Sequence, residues 1–170
     1  MRALIVYESL FGNTEAIARA VAAGLSDDYE VTVAEVGETP TAAGIDLLVV
    51  GAPTHAFGLS RAATRQDAVR QGATRAATTG LREYLDAVQG IPAGLAFAAF
   101  DTRVGRPFSG SAARKADRRL RRLGARPACP PESFLVTGTA GPLVEGERKR
   151  AESWAAHLAT HLASTSGRAA

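Results

Sequence analysis

Residues 3–25, ALIVYESLFGNTEAIARAVAAGL, change period half-way, and that change decides the fold. Ala3–Tyr7 is an almost wholly apolar run with β-branched Ile5 and Val6, the pattern of a strand covered on both faces. From Thr14 the spacing turns helical, with Ile17, Val21 and Leu25 four apart on one face. The alternation continues down the chain. Val31–Val36 alternates only in part and predicts a strand near a sheet edge. Asp46–Gly51, Leu95–Phe100 and Glu132–Thr137 predict three more strands. Leu81–Val88, Ser111–Leu123 and Glu145–Ala163 predict helices. Ala113, Ala116, Leu120 and Leu123 face inward on the second of these, and Trp154, Leu158 and Leu162 on the third. Buried strands alternating with helices imply an α/β fold, a parallel sheet wrapped by helices on both faces. The long polar connection Ser60–Gly80 reads either as a short helix or lid or as a surface loop. Residues 1–163 make one domain, and Ser164–Ala170 a frayed tail.

Composition narrows the class. The 170 residues are 46% hydrophobic and 22% charged, which fits one soluble domain and excludes a disordered chain. Cys129 is the single cysteine, so an internal disulfide and a cysteine metal cage are both excluded. The longest apolar stretches, Ile45–Ala52 and Ile91–Phe100, are too short to span a bilayer. The opening MRALIVYES is no secretory signal, so a cytoplasmic protein is expected. The net charge is +3, which permits acidic partners without demanding nucleic acid. Arg114, Lys115, Arg118, Arg119, Arg121, Arg122 and Arg126 gather on the Ser111–Leu123 helix and its exit. They read either as a docking face for an acidic redox partner or as a solvated face shaped by arginine-rich codon usage.

In a doubly wound sheet a ligand sits beyond the carboxyl ends of the strands, so the loops after the strands carry the chemistry. The first, Glu8-Ser9-Leu10-Phe11-Gly12-Asn13, runs into a helix at Thr14. A helix N-terminus presents unpaired N–H groups and a partial positive charge, a site for phosphate. Ser9 and Thr14 add hydroxyls, while Gly12 and Asn13 tolerate a bent backbone. The loop lacks the Gly-Lys-Ser/Thr ending of a nucleotide P-loop. A plain turn capped by Thr14 is the competing reading. The second loop, Gly51–Ser60, contains Pro53, Thr54, His55, Phe57 and Gly58. His55 and Phe57 offer flat surfaces to a planar ligand, and Gly58 lets a peptide approach a ring edge. Equally, His55 is a polar loop residue and Phe57 a lid on the core. The third loop, Asp101–Gly110, contains Asp101, Thr102, Arg103, Gly105, Arg106 and Phe108. It supplies N–H groups and an apolar surface, or merely caps the next helix through Ser109 or Ser111.

Together these segments resemble the flavodoxin-like superfamily. YESLFGNTEAIA is similar to its phosphate loop, Thr/Ser-x-Thr/Ser-Gly-x-Thr, with Ser9, Leu10, Phe11, Gly12, Asn13 and Thr14 in the six positions and Phe11 where a hydroxyl residue is usual. GAPTHAFG resembles the loop on the dimethylbenzene and N5 side of the flavin, and FDTRVGRPFSG the loop on the pyrimidine side. The resemblance covers Arg2 to about Ala163. It implies a three-layer αβα sandwich, a five-stranded parallel sheet of order 2-1-3-4-5, and FMN at the switch point between the first and third strands. It also implies an electron carrier between a reductase and an acceptor. The alternatives are an FMN enzyme acting on a quinone or a porphyrinogen, with His55 as a proton donor, and a flavin-free interaction module that kept the fold. The chain departs from the family in being basic and in lacking the Trp and Tyr that sandwich the ring. Arg103 and Arg106, beside the expected N1/O2 edge, predict a higher potential for the bound flavin than acidic flavodoxins have.

Other features point nowhere. His157 and His161 are four apart but lack the Glu and third ligand of a zinc site. Cys129 has no neighbouring base, and no GxSxG elbow exists. The acidic pair of a response-regulator receiver is missing after the first strand, where Glu8 stands alone. The oligomeric state is left open.

Overall fold

The computed structural model describes residues 1–55, 58–73, 78–88, 91–106 and 110–166. Strand β1 (Arg2–Tyr7) leads into helix α1 (Asn13–Leu25), then β2 (Glu30–Glu35) and β3 (Leu47–Pro53). Helices α2 (Ala62–Arg70) and α3 (Leu81–Ala87) precede β4 (Ala96–Val104), which is followed by α4 (Ala112–Arg122). Two short strands, β5 (Arg126–Pro127) and β6 (Glu132–Val136), and the long helix α5 (Glu147–Ser166) complete the chain. The sheet is parallel, ordered β2-β1-β3-β4, with β5 and β6 sharing the fifth position beside β4. This is the expected α/β flavodoxin-like fold with strand order 2-1-3-4-5 and five helices.

The register shows why the strands are apolar on both faces. Ile5 lies beside Val49 and Ala98, and all three face α1 and α5; Leu4 and Val6 lie beside Leu48 and Val50 and face α3 and α4. Each central strand residue is thus covered whichever way it points. Edge strand β2 pairs only with β1 and keeps an exposed row, as its broken alternation predicts. Phe100, Phe134 and Trp154 meet edge-to-face with centroids 6.0–6.4 Å apart under α5, a geometry that suits the ring quadrupoles.

Four boundaries differ from the sequence reading. Strand β4 runs to Val104 because its ladder continues along β6, from Phe100 beside Glu132 to Val104 beside Val136. Asp101–Val104 therefore belong to a strand rather than a loop. The fifth strand is split because Pro130 and Pro131 have no N–H for the ladder; Ala128 still donates to the Phe97 carbonyl at 2.8 Å. Leu123 is exposed, since α4 ends one residue before it and the chain turns there. Helix α5 continues through Ser166, into the segment expected to fray. The Ser60–Gly80 connection does carry a helix, α2.

No helix among the described residues is long and apolar enough to cross a membrane. His157 and His161 are exposed, and no metal-binding cluster occurs among the described residues. Burial pushes the Cys129 thiol up to about 11, so it is not a ready nucleophile.

Candidate functional site

The carboxyl ends of β1, β3, β4 and β6 meet at one edge of the sheet. Beyond them opens a cleft of ≈ 100 Å³. Backbone bonds that continue the ladders past the strands hold its walls in register: Glu8 N–H to the Gly51 carbonyl and Thr54 N–H to the Thr102 carbonyl, each 2.9 Å.

The first loop contributes Ser9, Leu10, Phe11, Asn13 and Thr14 to the lining. Gly12 is the N-cap of α1 at φ 83, a conformation that costs any other residue about 1–2 kcal/mol. So Gly12, not Thr14, caps the helix. The Thr14 hydroxyl turns inward to the Thr102 hydroxyl, 2.8 Å away and buried. Ser9 is also buried, and its Oγ accepts from the Glu15 N–H at 3.2 Å. Asn13 Nδ2 donates to the Ala140 carbonyl at 3.1 Å, tying the turn to the loop after β6. The result is a rigid, hydroxyl-bearing turn in front of a 13-residue helix.

The second loop contributes Pro53, Thr54 and His55. His55 and Gly58 exchange two backbone hydrogen bonds of 2.8 Å, closing a tight hairpin. Phe57 and Phe108 lie outside the described residues. Burial and the charge of Arg65 push the His55 imidazole below its ordinary range. The neutral ring is therefore the native form near pH 7. Its contribution to stability is complete above the unfolded value and is lost as pH falls through the depressed one. Thermal unfolding of wild type and His55→Asn checks this: the wild-type advantage at pH ~7.5 is expected to shrink by pH ~5.5. A difference in Tm that does not vary with pH contradicts it.

From β4 come Thr102 and Arg103, whose guanidinium donates to the Gly110 carbonyl at 2.8 Å. Arg106 and Gly105 are exposed and do not line the cleft. Asp101 points to the opposite face of the sheet. It is fully buried, and its Oδ2 accepts from the Thr54 and Ser111 hydroxyls (3.1 and 2.5 Å) and from the Ala113 N–H (3.0 Å). Strand alternation causes this, since Thr102 faces α1 and Asp101 therefore faces α4. Asp101 fastens the second loop and the α4 N-terminus together, while Ser111 caps α4 by accepting from the Arg114 N–H at 3.1 Å.

The sequence reading missed Val104, Val136 and Thr139, which also line the cleft. Extending β4 accounts for Val104. Val136 and Thr139 lie at and after the end of β6, and Gly138 beside Thr139 was the available signal. It also missed a buried polar cluster behind the first loop. Glu8, with no exposed surface, accepts from Ser60 Oγ at 2.5 Å and from the Leu81 N–H at 2.8 Å. Arg65, 3% exposed, donates to Ser60 Oγ (2.9 Å), to both Glu83 oxygens (3.1 and 3.2 Å) and to the Thr78 carbonyl (3.2 Å). This cluster clamps the exit of the second loop against the base of the first.

Comparison with known proteins agrees with this geometry. The chain resembles flavodoxin 1 of Bacillus cereus over 95% of its own length and 99% of that chain, with 18% identity and a TM-score of 0.69. Flavodoxin 2 of the same organism covers 94% and 99%, with 21% identity and a TM-score of 0.67. A Pseudomonas aeruginosa flavodoxin variant covers 95% and 99%, with 19% identity and a TM-score of 0.65. At these identities the likeness shows the fold. No curated protein matches by sequence. The flavodoxin family model, however, matches residues 5–154, most of the chain and all four loops of the cleft, and the protein belongs to the flavodoxin family.

Proposed function

We propose that this chain binds FMN in the cleft and acts as a cytoplasmic electron carrier between a reductase and an acceptor. The observation that supports the reading is the turn Ser9–Thr14: two hydroxyl residues lining the cleft, a left-handed glycine cap and a helix N-terminus lie together, a donor set of the kind a phosphate takes. The residues fit the group. Ser9, Gly12, Asn13 and Thr14 would hold the phosphate without any cationic side chain. Leu10, Phe11, Pro53 and Thr102 supply the mixed wall a flavin and its ribityl chain need. Thr54, His55, Gly58 and Arg103, with Phe57 and Phe108 as expected from the family, would frame the ring; Asp101 and Gly105, turned away from the cleft, would not. When bound, FMN supplies reversible one- and two-electron transfer.

The chain's own residues set the conditions. His55 is neutral near pH 7 and brings no imidazolium to the ring, which supports a carrier over a proton-donating quinone or porphyrinogen enzyme. Arg103 lines the cleft with a positive charge, pinned by Gly110. That charge favours the added negative charge of the reduced cofactor. Reductive titration of the FMN-loaded protein tests both points. The purified chain is expected to take up FMN with a flavin absorption band. Arg103→Ala is expected to lower the midpoint potential by about 30–60 mV, the equivalent of roughly 1 kcal/mol for one electron. An unchanged potential contradicts the role of Arg103, and failure to take up FMN contradicts the carrier.

A further inference from the structure

A second recess, of ≈ 300 Å³, lies beside the candidate flavin loop, lined by Leu59, Arg82, Lys115, Arg118, Arg119 and Arg122. Two of its cations are occupied. Arg82 donates to the Ser60 and Leu59 carbonyls at 3.1 and 3.0 Å, and Arg119 pairs with Asp86. Lys115, Arg118 and Arg122 have no carboxylate partner among the described residues. Arg114, Arg118 and Arg122 repeat every four residues along α4, and Lys115 stands four before Arg119. Like charges at this spacing oppose the helix by about 0.2–0.5 kcal/mol per pair. Arg114 and Lys115 also sit near its N-terminus, the end where cations are unfavourable. Arg122, in the last turn, suits the helix dipole, whereas Lys115 and Arg118 have neither that benefit nor a carboxylate among the described residues.

The recess touches the site. A side chain placed on Gly58 would bring its Cβ within 2.5 Å of Lys115 Nζ. The ammonium group therefore lies directly on the hairpin that would border the flavin. Leu59, buried at the junction, adds an apolar floor. We infer that the α4 recess docks an acidic face of a soluble redox partner, whose carboxylates meet Lys115, Arg118 and Arg122 while its redox centre faces the cleft. The inference rests on the carrier reading for its redox purpose and on the charge pattern for its location. Three uncompensated cations over two helical turns suit a cluster of carboxylates on a folded surface. They fall short of the roughly six to ten phosphates of a strongly salt-dependent nucleic-acid footprint.

The test uses one haem protein with two surface charges: cytochrome c, which is basic, and succinylated cytochrome c, in which lysines carry carboxylates. Affinity for the full chain is measured by calorimetry, with and without FMN, at about 10 mM and about 150 mM salt. Transfer from the reduced, FMN-loaded protein is followed by stopped flow. At low salt the succinylated form is expected to bind, and to accept electrons, about tenfold better or more, with the preference fading at high salt. Arg118→Glu/Arg122→Glu is expected to abolish the preference. Arg148→Glu/Lys149→Glu, with the same change in net charge on exposed α5 residues, is expected to leave it within about twofold. Equal losses in the two variants overturn the inference. So do the absence of a preference, equally tight binding of a short DNA duplex with the same Arg118/Arg122 dependence, and tight binding without faster transfer. If FMN does not load, the carrier reading falls, and the affinity arm alone decides whether the recess takes an acidic face.

Discussion

Replacing Arg65 by methionine is expected to cost the fold about 3–5 kcal/mol, the range for breaking a buried ionic cluster by removing one partner. Arg65 is almost fully buried and is the cation of the Glu8–Ser60–Glu83 cluster. Burial already pushes the Glu8 carboxyl above its ordinary range, against the pull of Ser60, the Leu81 N–H and the Arg65 charge. Burial raises Glu83 too, but its bonds from Arg65 and the Gly80 N–H outweigh that and hold it low. Without Arg65, Glu8 loses a counter-charge and its native pKa rises further. The sign follows: a raised carboxyl contributes fully below its unfolded value and loses that contribution as pH climbs through the native one. The deficit of Arg65→Met is therefore expected to be larger at pH ~7 than at pH ~5, and Glu8→Gln in the same chain is expected to recover part of it. Urea unfolding at both pH values measures this. A deficit below about 1 kcal/mol, or one independent of pH, contradicts the account of the cluster.

Gly12→Val is expected to weaken FMN binding by about 100-fold or more. At φ 83 a β-branched residue is strained by about 1–2 kcal/mol, and relief of that strain rotates the peptides at the mouth of α1 away from the point where they converge. A Cβ on Gly12 meets no atom within 4 Å, so the loss does not come from a clash in the core. Gly12→Asn is expected to lose less, because asparagine visits the left-handed region more readily. FMN fluorescence titrations of the three proteins, with urea unfolding alongside, separate lost affinity from lost stability. Wild-type affinity in Gly12→Val would mean that the turn does not hold the phosphate.

Much of the fold was legible because period and burial coincide. Ala3–Tyr7 is apolar throughout since both faces of β1 are covered, and Val31–Val36 alternates since β2 is an edge. What escaped depended on partners far away in sequence. Asp101–Val104 look like loop residues, but pairing with β6 throughout, and with Ala52 and Pro53 of β3 at Asp101 and Thr102, makes them a strand. That extension turns Asp101 from the cleft to α4 and brings Val104 and Val136 into the lining. Glu8 reads as an ordinary loop carboxylate until Ser60, Arg65 and Leu81, at least fifty residues on, close around it. Arg65 sits in a polar segment with no hydrophobic period to betray burial. The candidate phosphate turn was legible because its chemistry is local: hydroxyls, glycine and a helix start lie within six residues.

The central claim is that this turn holds a phosphate dianion without a cationic side chain. Comparing the affinities of FMN and riboflavin for the same protein tests it most directly, since the ligands differ only in that group. FMN is expected to bind about 100-fold or more tightly, the equivalent of roughly 2.7 kcal/mol, and Gly12→Val to erase most of the difference. Equal affinities, or binding of neither ligand at saturating concentration, would contradict the account.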